Sequence, residues 1–188
     1  PHLHFNGNDL YKKTVGILGF GHVGKRVAYL LQNFGVRIIV HDLKIQQIAF
    51  PEIEVVSFEE LLKTSDIITL HTHYPNVDKP LIGYEEFCTM LKRPYLINTS
   101  DPRLIREEDL MQALNEKRIR GAALDVLNME PISDNSPLLK YENLLITPHI
   151  AGSAREVIAS RSEIVYKDLL RCLSGEKPFN IANPEIYR

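Results

Sequence analysis

The chain has 188 residues, of which 44% are AVILMFWYC and 24% are charged, with 22 Lys and Arg against 24 Asp and Glu for a formal net charge of −2. This is the profile of a soluble globular protein able to bury a sizeable core, and it excludes disorder, collagen-like repeats and a coiled coil. A near-balance of charge without long blocks of one sign leaves no electrostatic footprint for nucleic acid.

The start, Pro1-His2-Leu3-His4-Phe5-Asn6-Gly7, has neither the basic nor the apolar region of a signal peptide. No apolar run approaches the roughly 20 residues that span a bilayer, so no membrane partner and a cytoplasmic location are expected. Cys88 and Cys172 stand far apart without CxxC spacing, which fits a reducing compartment and argues against a disulfide framework.

In chain order, short β-branched runs alternate with amphipathic stretches, the pattern of βα units stacked into a parallel sheet. A strand is predicted over Thr14 to Leu18, followed by Gly19-Phe20-Gly21-His22-Val23-Gly24 opening a helix from Val23 to Phe34 that Gly35 closes. Strand Arg37 to His41 follows, then a helix from Ser57 to Lys63 whose Ser57 and Glu60 have capping-box spacing. Strands Ile67 to Leu70 and Tyr95 to Asn98, helix Arg106 to Glu116, and strands Ala122 to Val126 and Leu144 to Thr147 come next. A long helix from Ser153 to Leu173 ends before Gly175 and Pro178.

The strand, GxGxxG and helix stand in the order a dinucleotide needs. The first glycine permits the tight turn, the second lets backbone approach a pyrophosphate, the third lets helix pack on strand, and the helix N-terminus faces the phosphates. Asp42, 18 residues after Gly24, closes the second strand and is placed to accept hydrogen bonds from ribose hydroxyls. A carboxylate there repels a 2′-phosphate, so NAD is expected over NADP, with Lys44 as the one nearby residue pointing the other way. His22 either touches the pyrophosphate or sits in solvent at the helix start.

Ligands of an open parallel sheet gather outside the carboxyl ends of its strands. Those ends carry His71-Thr72-His73, Asn98-Thr99-Ser100-Asp101, Asp125 and Thr147-Pro148-His149. His149 is the acid/base candidate, because imidazole exchanges protons near neutrality, and Glu130 is a carboxylate able to favour its charged form. His71 and His73 share one face of the predicted strand, but no third ligand stands nearby and no metal is expected.

Four stretches together, Leu18 to Gly24, Ile97-Asn98-Thr99, Gly121 to Val126 with Glu130-Pro131, and Thr147 to Gly152, resemble the nucleotide-binding domain of the D-isomer-specific 2-hydroxyacid dehydrogenases, from about Asn6 to Pro184. The resemblance implies an α/β fold, a Rossmann-type doubly wound parallel sheet forming a single nucleotide-binding domain over 1–188. Its tail, about 175–188, would return to a substrate domain that this sequence lacks. It implies NAD-linked hydride transfer between a 2-hydroxy and a 2-oxo acid, His149 as acid/base, Glu130 as its partner, and a possible homodimer. Gly19, Gly21, His22, Val23, Gly24, Asp42, Thr72, His73, Thr99, Ser100, Asp101 and Asp125 are then expected to line the cofactor, Asp125 toward the nicotinamide carboxamide. The abrupt start and the tail suggest a truncated cofactor domain, inactive alone.

The pattern breaks at Asp101, which occupies the position where the family has the Arg that holds the substrate carboxylate. Arg103 is the nearest replacement, about 6 to 7 Å away along an extended chain, with Pro102 able to turn it. A second break is at His73 and Asp78, which replace residues that line the cofactor in the family. The alternative reading is a non-catalytic NAD-binding sensor or scaffold. Asp101 favours it, and the presence of Glu130 and His149 opposes it.

Overall fold

Val15, Ile17 and Leu18 are almost completely buried, as are Ile38, Ile39 and Val40, so neighbouring residues pointing to opposite faces are covered on both. That continuous burial is why these strands read as unbroken apolar runs rather than alternating ones. The computed structural model describes residues 7–45, 50–73 and 79–187. Among the described residues, seven strands form one parallel sheet: β1 (Thr14–Leu18), β2 (Arg37–His41), β3 (Ile53–Val55), β4 (Ile67–Leu70), β5 (Tyr95–Asn98), β6 (Gly121–Leu124) and β7 (Leu144–Ile146). Their order is β3-β2-β1-β4-β5-β6-β7, so the winding reverses between β1 and β4 and leaves a crevice at the carboxyl ends of those two strands.

The helices are α1 (His22–Leu31), α2 (Phe58–Thr64), α3 (Tyr84–Thr89), α4 (Glu107–Asn115) and α5 (Arg155–Leu173). Leu61 and Leu62 of α2, Phe87 of α3 and Leu110 and Leu114 of α4 form a core with Leu18, Ile68, Leu70, Leu96 and Leu124. Ala28 of α1 joins Val15, Ile17, Phe20, Ile38, Val40 and Ile53 in a second core. The predicted caps are present: Ser57 Oγ accepts from Glu60 N at 3.1 Å, and Gly35 takes φ +63 after a short 3₁₀ turn that extends α1. Two elements went unpredicted, β3 and α3, and β6 and β7 end two residues and one residue earlier than expected.

The contacts divide the chain into two compact units, residues 1–148 and 149–188. The first holds the sheet. The second is α5 and the segment after it, where Glu176 N donates to Arg171 O at 2.8 Å and Gly175 N to Cys172 O at 3.1 Å. These two bonds satisfy the last carbonyls of the helix. Asp168 then accepts from the backbone N–H groups of Phe179 (2.8 Å) and Asn180 (3.1 Å), anchoring the first part of the tail on α5.

Candidate functional site

The turn after β1 leaves no room for a side chain at two of its three glycines. Gly19 has φ +90, and a Cβ there would lie 2.5 Å from His71 O, because its loop runs against the loop after β4. At Gly24 a Cβ would lie 2.1 Å from Gly19 O, so this glycine lets α1 close onto the turn. Gly21 differs: nothing lies within 4 Å of its Cβ position. It is also the N-cap of α1, which has no side-chain cap and no acidic residue in its first turn. The result is an exposed helix N-terminus with open space where a pyrophosphate needs it and N–H groups suited to bind one. His22 and Val23 are exposed at that terminus.

Asp42 follows β2 directly. Its Oδ2 accepts from Phe20 N and its Oδ1 from Lys44 N, both at 2.8 Å, which locks the carboxylate to the middle of the glycine turn. Each oxygen retains acceptor capacity for a ribose hydroxyl. These residues fit a dinucleotide at this end of the sheet.

Next in the sheet, His71 and His73 lie beyond the end of β4 rather than on a strand face, since β4 stops at Leu70. His71 Nε2 is 3.0 Å from Thr69 Oγ1, and burial pushes its pKa below the ordinary histidine value, so it is neutral at pH 7. Ser100 Oγ donates to Thr72 O at 2.8 Å and joins the loops after β4 and β5, while Thr99 is exposed. Asp78 lies outside the described residues.

Asp101 is buried and engaged on every side. It caps a 3₁₀ turn (Pro102–Leu104) by accepting from Arg103 N at 3.0 Å. The turn folds Arg103 back so that Nε and Nη2 grip the same carboxylate at 2.9 and 2.6 Å, and His73 Nδ1 lies 3.2 Å from Oδ2. The extended-chain separation of Asp101 and Arg103 therefore does not apply, because Pro102 starts a turn. The carboxylate does not stand alone as a repelling charge either.

The fork from Arg103 holds the Asp101 carboxyl below its ordinary pKa against the opposing effect of burial. A carboxylate whose folded pKa lies below its unfolded one contributes stability that is complete above the unfolded value and is lost as pH falls through the folded one. Asp101→Asn, which keeps an oxygen for the cap, is accordingly expected to cost about 1 kcal/mol at pH 7. The difference from the parent begins to close as pH falls below about 4 and narrows further toward the lower folded pKa, as measured by urea titration at several pH values.

At β6, Asp125 is buried, its N–H donates to Asn98 O at 2.9 Å, and its Oδ1 accepts from Thr147 Oγ1 at 2.5 Å. Thr147 as partner of Asp125 was not foreseen, although both stand at strand ends where such a bond forms. Glu130 is exposed, with Oε1 accepting from Leu127 N at 2.8 Å. His149 opens the second unit, exposed and at φ +54. Among the described residues no group of three or more His, Cys, Asp or Glu is placed to hold a metal ion, and no helix is long and apolar enough to cross a membrane.

A parallel sheet ordered 3-2-1-4-5-6-7 with a glycine turn at its switch point and an acidic residue after β2 defines a Rossmann dinucleotide-binding unit. The chain belongs to the D-isomer specific 2-hydroxyacid dehydrogenase family, whose NAD-binding-domain model matches residues 2–151. It is 36% identical over 185 residues to a glyoxylate reductase of Korarchaeum cryptofilum, covering 97% of this chain and 55% of that protein.

Two solved structures bind the cofactor in their crystals. The NAD-complexed D-isomer specific 2-hydroxyacid dehydrogenase of Lactobacillus delbrueckii ssp. bulgaricus superposes with a TM-score of 0.85 at 30% identity, over 96% of this chain and 59% of that one. The D-lactate dehydrogenase with NAD+ of Lactobacillus jensenii gives 0.85 at 27% identity, over 95% and 58%. The chain spans about half the length of the curated glyoxylate reductases it matches. It is an NAD-binding domain of that family. The alternative of a non-catalytic module gains no support from these relatives.

Proposed function

We propose that the intact protein reduces a small 2-oxo acid to the 2-hydroxy acid, and runs the reverse, with residues 1–188 as a single cofactor domain whose tail, about 175–188, returns to a substrate-binding domain. The observation that carries this reading is the gathering of polar residues at the carboxyl ends of β4, β5 and β6, beside a glycine turn open at Gly21. When bound, NAD supplies or accepts the hydride at the substrate C2. Gly19, Gly21, His22, Val23 and Gly24 hold the pyrophosphate, and Asp42 holds the adenosine ribose. Thr72, His73, Thr99, Ser100 and Asp125 would flank the nicotinamide half, while Asp101, expected there from the sequence, is buried and taken up by Arg103.

His149 gives a proton to the C2 oxygen on reduction and takes one on oxidation. Glu130 is the carboxylate assigned to work with this histidine in the intact protein. Arg103 supplies the cation for the substrate carboxylate. The names of the curated relatives make glyoxylate the first substrate to try. A cytoplasmic homodimer completes the reading.

Steady-state NADH oxidation by the intact protein against a panel of 2-oxo acids tests it. Saturable turnover with glyoxylate or a close homologue is expected. NAD binding without turnover of any panel member would instead favour the sensor or scaffold.

A further inference from the structure

Arg103 does not project into solvent as an unconstrained side chain. Its backbone N–H and its Nε both donate to Asp101 Oδ1, at 3.0 and 2.9 Å, and its Nη2 donates to Oδ2 at 2.6 Å. Asp101 in turn is held in place: it is 5% exposed, and its carbonyl accepts from Asn98 Nδ2 at 2.9 Å at the end of β5. A guanidinium has two edges able to make paired hydrogen bonds. Asp101 uses the Nε and Nη2 edge, and the edge formed by Nη1 and Nη2 remains to donate.

We propose that Asp101 is a positioning residue that fixes the guanidinium of Arg103 at the carboxyl end of β5, so that its second edge clamps the carboxylate of the substrate. The inference rests on the 2-oxo acid reading above and assigns the residue that makes it possible with the family's Arg position occupied by Asp. Charge does not oppose it. Carboxylates on two guanidinium edges that share Nη2 lie about 120° apart, and so about 1.7 times as far from each other as from the cation, so attraction exceeds repulsion about 1.7-fold. His73 Nδ1 lies 3.2 Å from Asp101 Oδ2, the oxygen that Nη2 also meets. Preorganisation is the second gain. Arg103's side chain is 43% exposed, and tethering it before substrate arrives removes part of the ordering cost of binding.

The test is a double-mutant cycle on the intact protein, reading KM for glyoxylate, kcat and NADH affinity. Arg103→Ala is expected to raise KM about 100-fold, and Asp101→Ala about 10-fold, with NADH affinity within twofold of the parent in both. In the Arg103→Ala background, Asp101→Ala is expected to add less than about twofold, because its effect passes through Arg103. Asp101→Asn, which keeps the cap acceptor, takes the place of Asp101→Ala if the latter fails to fold, and Arg103→Lys is expected to recover only part of the loss.

Equal effects of Asp101→Ala in both backgrounds, or a loss of NADH affinity that matches the loss in KM, overturns the positioning role. Normal turnover in Arg103→Ala overturns it while leaving the 2-oxo acid reading intact. A parent protein that neither turns over glyoxylate nor, in its NADH complex, binds oxamate by calorimetry overturns both.

Discussion

Gly21→Ala is expected to leave the thermal midpoint within about 2 °C of the parent and to weaken NAD binding at least about tenfold. The backbone at Gly21 has φ −76, which alanine adopts freely, and nothing within 4 Å meets the added methyl, so folding has little reason to notice it. The methyl does occupy the space beside the first N–H groups of α1, where a pyrophosphate must come close to reach them. Gly24→Ala should behave differently. Its methyl falls 2.1 Å from Gly19 O, a backbone atom fixed between β1 and α1, so the helix has to move away from the turn. Overpacking of this kind costs about 1–3 kcal/mol, a fall of roughly 2–12 °C for a chain of this size, together with loss of NAD binding. Differential scanning calorimetry with and without NAD separates the two variants. Equal destabilisation by both would show that Gly21 serves only the chain's reversal.

In the intact protein, His149→Asn is expected to lower kcat by about 10²- to 10⁴-fold while the KM for NADH stays near that of the parent. The choice of asparagine follows from the backbone. His149 has φ +54, a left-handed conformation that asparagine tolerates better than most residues, so the variant removes the imidazole with little added strain. If His149 is the proton donor and acceptor, the limb of the pH–rate profile that follows its titration disappears with it. A variant with a normal kcat would remove His149 from the chemistry, and one with an unchanged kcat but a raised NADH KM would place it in cofactor binding instead.

Much of this architecture was legible because burial and backbone geometry leave local marks. Strands β1, β2 and β4 read correctly since both of their faces are covered along most of their length, and β5 because Tyr95, Leu96 and Ile97 form an apolar run although Tyr95 is exposed and Ile97 only partly buried. The glycine turn was legible because its conformation excludes side chains at Gly19 and Gly24. β3 escaped because three residues with Glu54 in the middle carry too little pattern, and its place at the sheet edge is secured by parallel pairing with β2 and by Arg37 meeting Glu54 at 2.6 Å. The six residues of α3 are too few for a helical period to show. Its start depends on Asp109, 25 residues away on α4, accepting from Tyr84 N at 3.0 Å. At the site, the identities of Asp101 and Arg103 were plain but their relation was not. An extended reading separates them, whereas the 3₁₀ turn at Pro102 closes them into one ion pair.

The central claim, an NAD site read by Asp42, is tested most directly by calorimetric titration of the chain with NAD and with NADP, in the parent and in Asp42→Ala. The carboxylate of Asp42 is held toward the turn by the N–H groups of Phe20 and Lys44, so it is preset to meet the ribose and to repel a phosphate added there. Two like charges about 4 Å apart near a protein surface oppose each other by up to about 4 kcal/mol, and every 1.4 kcal/mol is tenfold in affinity. NAD is therefore expected to bind at least about tenfold more tightly than NADP, and Asp42→Ala is expected to weaken NAD and strengthen NADP until the two are alike. Equal affinities in the parent, or NADP binding unchanged by Asp42→Ala, would contradict the account.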